Sequence, residues 1–190
     1  MKKISSDSDL ELVEKIVQKD EVAFEHLVDI YKLSVLNTIY RYTGNSAYAE
    51  DISQEVFCKV WLNIKKFRAK SKFSTWLYRI VVNECLNHQG RLKKRMFLFR
   101  KIENKFFLKP EGKEVNYEEA EQKEVIRKLI KALPERQRMA LILCQYEDRS
   151  YAEISQIMNI SVPAVESLLF RARETIKKQL IYPKKEKEKI

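Results

Sequence analysis

Glycine and proline are scarce in this chain, with three Gly and four Pro among 190 residues. So few backbone breakers, together with abundant Leu, Ile, Lys and Glu, point to an all-α fold. Cysteine is scarce too. Cys58, Cys85 and Cys144 are far apart, odd in number and form no Cys-x-x-Cys pair. That excludes a disulfide framework and predicts a reduced, cytoplasmic protein. No stretch approaches the roughly 18 apolar residues a membrane helix needs. The segment Met1–Asp7 runs directly into polar residues, without the apolar core of a secretory signal. His26 and His88 are the only histidines, and Cys85-x-x-His88 is a lone half-site for a metal. No metal, cofactor, catalytic residue or small-molecule substrate is therefore expected, and the chain does not read as an enzyme.

What the chain has is cores and positive charge. Hydrophobic residues make up 45%, enough for one medium domain or two small ones, and the formal net charge is +10. The charge is concentrated. Residues 65–95 carry ten Lys and Arg against one acid, Glu84. A local basic patch of this kind suits a polyanionic partner, nucleic acid before an anionic membrane face.

Apolar periodicity divides the chain into two helical lobes joined by a flexible linker. The first covers 1–95. Ser8-Asp9-Leu10-Glu11 reads as a capping box opening a short helix. Asp20 caps the next helix, with Phe24, Leu27, Val28, Tyr31, Val35 and Ile39 at helical spacing. That helix stops near Gly44-Asn45. A third helix follows with Ile52, Val56, Phe57, Val60, Trp61 and Ile64 on one side, then a basic loop, then a fourth helix from Phe73 or Ser74 to about Lys94. Pro110 and Gly112 among charges mark residues 96–120 as the linker. The second lobe covers 121–182 and the Lys/Glu-rich tail 183–190. In that lobe Pro134 sits at the first turn of a helix running from Glu135 to about Tyr146, and Glu147-Asp148-Arg149 is a turn.

Within the second lobe, Ser150-Tyr151-Ala152-Glu153 is a capping box, Asn159-Ile160-Ser161 a tight turn, and a longer helix starts near Val162. This is the pattern of a helix-turn-helix, whose second helix enters the major groove. Val165, Leu169, Ala172, Ile176 and Leu180 are expected to face inward. The opposite face then presents Pro163, Ala164, Glu166, Ser167, Phe170, Arg171, Arg173 and Lys177. The three cations suit phosphates, Ser167 and Glu166 suit base edges, and Ala164 suits a thymine methyl. The plainer alternative is a packing module with a solvated basic face.

The fourth helix offers a different chemistry. Trp76, Arg79, Asn83, Asn87, Arg91 and Lys94 recur at spacings of three and four and share one stripe, beside an apolar set of Phe73, Leu77, Ile80, Val81 and Cys85. Cations alone suffice for duplex phosphates, whereas an aromatic and amides suit unstacked bases. The basic loop before it could close over a displaced base. Against this, Trp76 on its own reads more naturally as a core residue. On the third helix, Glu50, Asp51, Gln54 and Glu55 cluster with Phe57 beyond, a protein-docking strip or a solvated face.

In this arrangement the chain resembles sigma factors of the extracytoplasmic-function group. Ala49-Glu50-Asp51-Ile52-Ser53-Gln54-Glu55-Val56-Phe57 is similar to the helix with which they grip RNA polymerase. Phe73-Ser74-Thr75-Trp76-Leu77-Tyr78-Arg79-Ile80-Val81-Val82-Asn83 is similar to their minus-ten segment. Leu133-Pro134-Glu135-Arg136-Gln137-Arg138, Tyr151-Ala152-Glu153-Ile154 and Phe170-Arg171-Ala172-Arg173 resemble their minus-thirty-five-binding lobe. The blocks match in order and spacing over about residues 20–180. The resemblance implies that Glu50, Asp51, Gln54, Glu55 and Phe57 bind core RNA polymerase. It implies that Lys66, Arg68, Lys70, Lys72, Ser74, Trp76, Arg79, Asn83, Asn87 and Arg91 meet melted minus-ten DNA. Ser150, Ser161, Pro163, Ala164, Glu166, Ser167, Phe170, Arg171, Arg173 and Lys177 would meet minus-thirty-five duplex. An anti-sigma factor is an implied further partner. Glu166 and Leu168 depart from the family's usual Gly-Thr-Val-Lys-Ser-Arg, standing where it has Lys and Arg. A stand-alone helix-turn-helix regulator, a nucleic-acid enzyme and a sequestering adaptor are the rivals. The first needs neither the docking strip nor the Trp/Arg/Asn stripe, the second lacks acid/base or metal residues, and the third leaves the basic loop unexplained.

Overall fold

The computed structural model describes the backbone of residues 6–100 and 117–181, and side chains within 8–88 and 125–181. Helices α1 (Ser6–Val17), α2 (Glu21–Thr43), α3 (Ser46–Asn63) and α4 (Phe73–Arg100) form the first lobe, with a single 3-10 turn at Ile64–Lys66. Helices α5 (Tyr117–Ala132), α6 (Glu135–Gln145), α7 (Tyr151–Met158) and α8 (Val162–Ile181) form the second. All regular structure among the described residues is helical.

Local chemistry accounts for most of the boundaries. Asp20 caps α2 by accepting from the Ala23 N–H at 3.0 Å. Gly44 ends it at φ 67, the left-handed conformation that costs glycine little, and Asn45 at once caps α3 through the Tyr48 N–H. Ser8, expected to cap α1, lies inside a helix that starts at Ser6. Pro134 occupies the N-cap of α6, which starts at Glu135 as expected. Helix α4 runs on to Arg100, past the expected end near Lys94. Nothing in Met96-Phe97-Leu98-Phe99 breaks a helix, whereas Pro110 and Gly112 fall outside the described residues.

The first lobe packs α2, α3 and α4 around fully buried Leu27, Val35, Ile39, Ile52, Val56, Val60, Leu77, Val81 and Cys85. Burial also pushes the Cys85 thiol well above its ordinary pKa, which keeps it an unreactive apolar filler. Lys59 reaches the buried Glu84 at 2.6 Å and ties α3 to α4. In the second lobe, Met139, Ile142, Leu143, Ile154, Val165, Leu169 and Ala172 form the core, as the spacing predicts for α8. Ile176 is only half-buried, and Leu180 is 56% exposed rather than inward-facing, because α8 outruns the helices it packs on.

The two lobes are in contact. Helix α7 lies against α4, and α6 against α2. Arg138 of α6 is buried and donates to the Tyr42 carbonyl at the C-terminal end of α2 (2.9 Å), as well as to the Lys131 and Leu133 carbonyls. Three carbonyls around one guanidinium are what a buried Arg needs in place of water.

Candidate nucleic-acid interface

The basic loop between the 3-10 turn and α4 is held by an aromatic anchor. Phe67, half-buried, packs against Phe73 and Trp76 with ring centroids 5.6 and 5.7 Å away, and Phe73 and Trp76 are 5.8 Å apart. Ala69 turns the chain at φ 53, and Lys66, Arg68, Lys70 and Lys72 all stand exposed around the anchor. Sequence reasoning passed over Phe67, although a lone aromatic in a run of cations was a signal of attachment. Trp76 is half-buried in this cluster. One part of the ring supports the loop and the rest reaches the surface, so the core and surface readings each describe part of it.

Beyond Trp76 the stripe is present. Arg79, Asn83 and Asn87 are exposed along α4. The Arg91 side chain lies outside the described residues. His88, on the neighbouring flank, stacks on Tyr48 with centroids 4.9 Å apart, while Cys85 faces the core, so the half-site of the sequence is split.

Three of the expected minus-ten residues touch the second lobe. Arg79 donates from Nη2 and Nε to the Gln156 carbonyl at 2.8 and 3.2 Å, at the end of α7. Lys72 pairs with Glu153 Oε1 at 3.2 Å. The Ser74 hydroxyl accepts from Arg149 at 3.4 Å, and the Arg149 guanidinium lies 4.7 Å over the Tyr78 ring.

Glu153 serves two elements with one carboxylate. Oε2 accepts from the Ser150 N–H and hydroxyl, and Ser150 Oγ accepts from the Glu153 N–H, completing the predicted capping box. Partial burial pushes the Glu153 pKa up, but the hydrogen bonds from Ser150 and Lys72 outweigh it and hold the group below the ordinary carboxylate value.

The helix-turn-helix is built as its residues predict. Asn159 ends α7 in the left-handed region at φ 51. Ser161 Oγ accepts from the Ala164 N–H at 3.4 Å at the start of α8. Pro163, Glu166, Ser167, Phe170, Arg171, Arg173 and Lys177 line the open face of α8, with Ala164 half-buried and Phe170 66% exposed. An aromatic this exposed contributes little to folding and is free to meet a partner. Ser150 is exposed, but its hydroxyl is committed to the capping box.

On α3, Glu50, Asp51 and Gln54 are exposed and Glu55 is partly so. Phe57 corrects the expected docking strip. It is 8% exposed and packs into the core, because position 57 follows the buried Ile52, Ser53 and Val56 around the inner face. Among the described residues, no group of three or more His, Cys, Asp or Glu is placed to hold a metal ion, and no helix is long and apolar enough to cross a membrane.

The same two lobes mark the matches to known families. Residues 27–95 match the family described as Sigma-70 region 2, and residues 123–176 match Sigma-70, region 4. The chain is 33% identical over 179 residues to the ECF RNA polymerase sigma factor SigW of Bacillus subtilis, covering 88% of this chain and 94% of that one. It is 35% identical over 185 residues to the RNA polymerase sigma-H factor of Pseudomonas aeruginosa, covering 93% and 96%. The sigma factor RpoE of Bartonella quintana, solved in complex with the anti-sigma factor NepR, superposes with a TM-score of 0.68 at 21% identity, covering 85% of this chain and 98% of that one.

Proposed function

Because this chain belongs to the extracytoplasmic-function sigma factors of the sigma-70 family, and so directs RNA polymerase to promoters, we propose how its surfaces divide that work. Lobe 1–95 binds core polymerase through Glu50, Asp51, Gln54 and Glu55 and opens the minus-ten element; lobe 121–182 reads the minus-thirty-five duplex. In the first lobe Phe57 supports the docking strip from beneath. The function is that of an initiation factor in the cytoplasm, not of an enzyme, and an anti-sigma factor is a partner, as NepR is for the Bartonella sigma factor.

For melted DNA, Lys66, Arg68 and Lys70 gather phosphates around the loop while the exposed part of Trp76 offers a stacking surface. Arg79, Asn83 and Asn87 follow along α4. For duplex, Arg171, Arg173 and Lys177 take phosphates, leaving Ser167, Glu166 and Ala164 for base edges. Glu166 accepts from a cytosine amino group where a cation would seek guanine.

One observation carries this reading: Glu50, Asp51 and Gln54 stand open on α3 while the helix's apolar face, Phe57 included, is sealed in the core. The experiment is retention on core RNA polymerase. The wild type should be retained. Asp51→Ala with Gln54→Ala should lose retention while keeping the wild-type helix content. If neither is retained, and the chain still binds duplex DNA, the division fails and a stand-alone helix-turn-helix regulator replaces it.

A further inference from the structure

Glu147 lies in the short turn after α6, yet its side chain is only 4% exposed. Its burial comes from the other lobe. Thr38 Oγ1 of α2 donates to Oε1 at 2.7 Å. Ser34 Oγ of α2 and the Tyr78 hydroxyl of α4 both lie within hydrogen-bond reach of Oε2 and bond to each other at 2.5 Å, so that one of the two donates to Oε2 and the other to its hydroxyl neighbour. Arg41 stands 3.9 Å from Oε1 and stacks at 4.5 Å on the Tyr146 ring. The turn is shaped to deliver the carboxylate: Asp148 sits at φ 49 and the Arg149 N–H returns to the Leu143 carbonyl at 3.1 Å.

Three neutral hydroxyls make an unusual receptor for a carboxylate. They satisfy both oxygens in the closed state, and each hydrates at little cost once the lobes part. Arg41, the cation of the group, stands at 3.9 Å with its side chain already 36% exposed, so its pairing with Glu147 adds little to hold the lobes together. The surrounding contacts are also polar: Lys72 with Glu153, Arg79 with the Gln156 carbonyl and Arg149 with Ser74. Arg138, buried at the α2–α6 contact and bonded to the Tyr42 carbonyl, also has to give way when the lobes part; the other contacts have the polar character of domain interfaces that move.

The contacts also fall on the surface assigned to melted DNA. A carboxylate takes Lys72 and the carbonyl end of α7 takes Arg79, the positions where phosphate oxygens would otherwise sit. We propose that the second lobe masks the minus-ten surface of the first in the free protein, with Glu147 as the latch, so that single-stranded DNA and α7 compete for Lys72, Ser74 and Arg79. This rests on the minus-ten reading above.

The test compares the full-length wild type with Glu147→Gln, which keeps the shape but replaces an acceptor oxygen with a donor. Small-angle X-ray scattering reports the lobes, and fluorescence anisotropy reports a labelled mixed-sequence single-stranded oligonucleotide. Ser34→Ala with Thr38→Val attacks the latch from the other lobe and serves if Glu147→Gln disturbs folding. Either change should enlarge the radius of gyration and tighten oligonucleotide binding about tenfold, with circular dichroism unchanged. Adding Arg79→Ala should then remove most of that gain. A folded variant with an unchanged radius overturns the latch, and if Arg79→Ala still weakens DNA binding, the minus-ten reading survives it. A larger radius with unchanged DNA binding overturns the masking, and Arg79→Ala without effect in that opened chain places the failure in the minus-ten reading itself.

Discussion

The acidic strip on α3 and the basic stripe on α4 belong to one lobe, are both polar, and have opposite fates. Glu50, Asp51 and Gln54 face open solvent, whereas Lys72, Ser74 and Arg79 are engaged by the second lobe. The difference teaches that helical spacing says which side chains leave the core of their own lobe, not whether another part of the chain comes to meet them. The α4 stripe, rich in donors, is met here by the nearest acceptors of the same chain.

The comparison can be sharpened by experiment. The largest effect is expected at Tyr78, which lies beneath the covered stripe. Burial, reinforced by the Glu147 carboxylate, pushes its phenol up to about 12 from an ordinary 10. An acid whose folded pKa is raised holds its proton while the unfolded chain gives it up. Its contribution is therefore complete below pH 10 and lost as pH rises toward 12. Two units correspond to about 2–3 kcal/mol. Urea melts from pH 9 to 12 should show wild-type stability falling more steeply than that of Tyr78→Phe by about that much. Equal slopes would mean the hydroxyl is not enclosed against Glu147.

Next comes Trp76, at the edge between covered and open. Full truncation of a buried Trp costs about 3–5 kcal/mol, and half-burial brings Trp76→Ala to about 2 kcal/mol in a denaturant melt. Polymerase retention should persist while promoter opening, read by permanganate reactivity of unpaired thymines, is impaired. Complete unfolding of the first lobe would make Trp76 a core residue and nothing more.

The smallest effect is at Asp148, where a non-glycine residue holds the left-handed position that delivers Glu147. Asp148→Gly relieves that conformation but loosens the unfolded chain, leaving a gain of about 0.5 kcal/mol in thermal melts and no change at the α3 strip. A loss instead would show that the Asp148 side chain supports the turn.

Several of these residues were legible in advance because their signals are local. Asp20, Gly44, the Ser150/Glu153 box and Asn159 act within four residues of themselves, and Val165, Leu169 and Ala172 follow from helical period alone. The misses have equally specific causes. Leu180 continues the period but lies past the helices that would cover it. Phe57 reads both as part of the apolar side of its helix and as part of the docking strip, and its burial favours the first of these. Glu147 carried no local sign at all: its partners lie 113, 109 and 69 residues away, and a Glu-Asp-Arg turn reads as solvated.

By itself, then, the sequence determined the helices, the caps at Asp20 and Ser150 and the family, because each rests on spacings within a few turns of helix or on motifs in fixed order. Only the tertiary structure decided that α7 lies across the stripe of Lys72, Ser74 and Arg79 and that Glu147 is buried among three hydroxyls. Those outcomes depend on which surfaces meet after the lobes have formed, a choice made by complementary shape and hydrogen bonding between residues far apart in the chain.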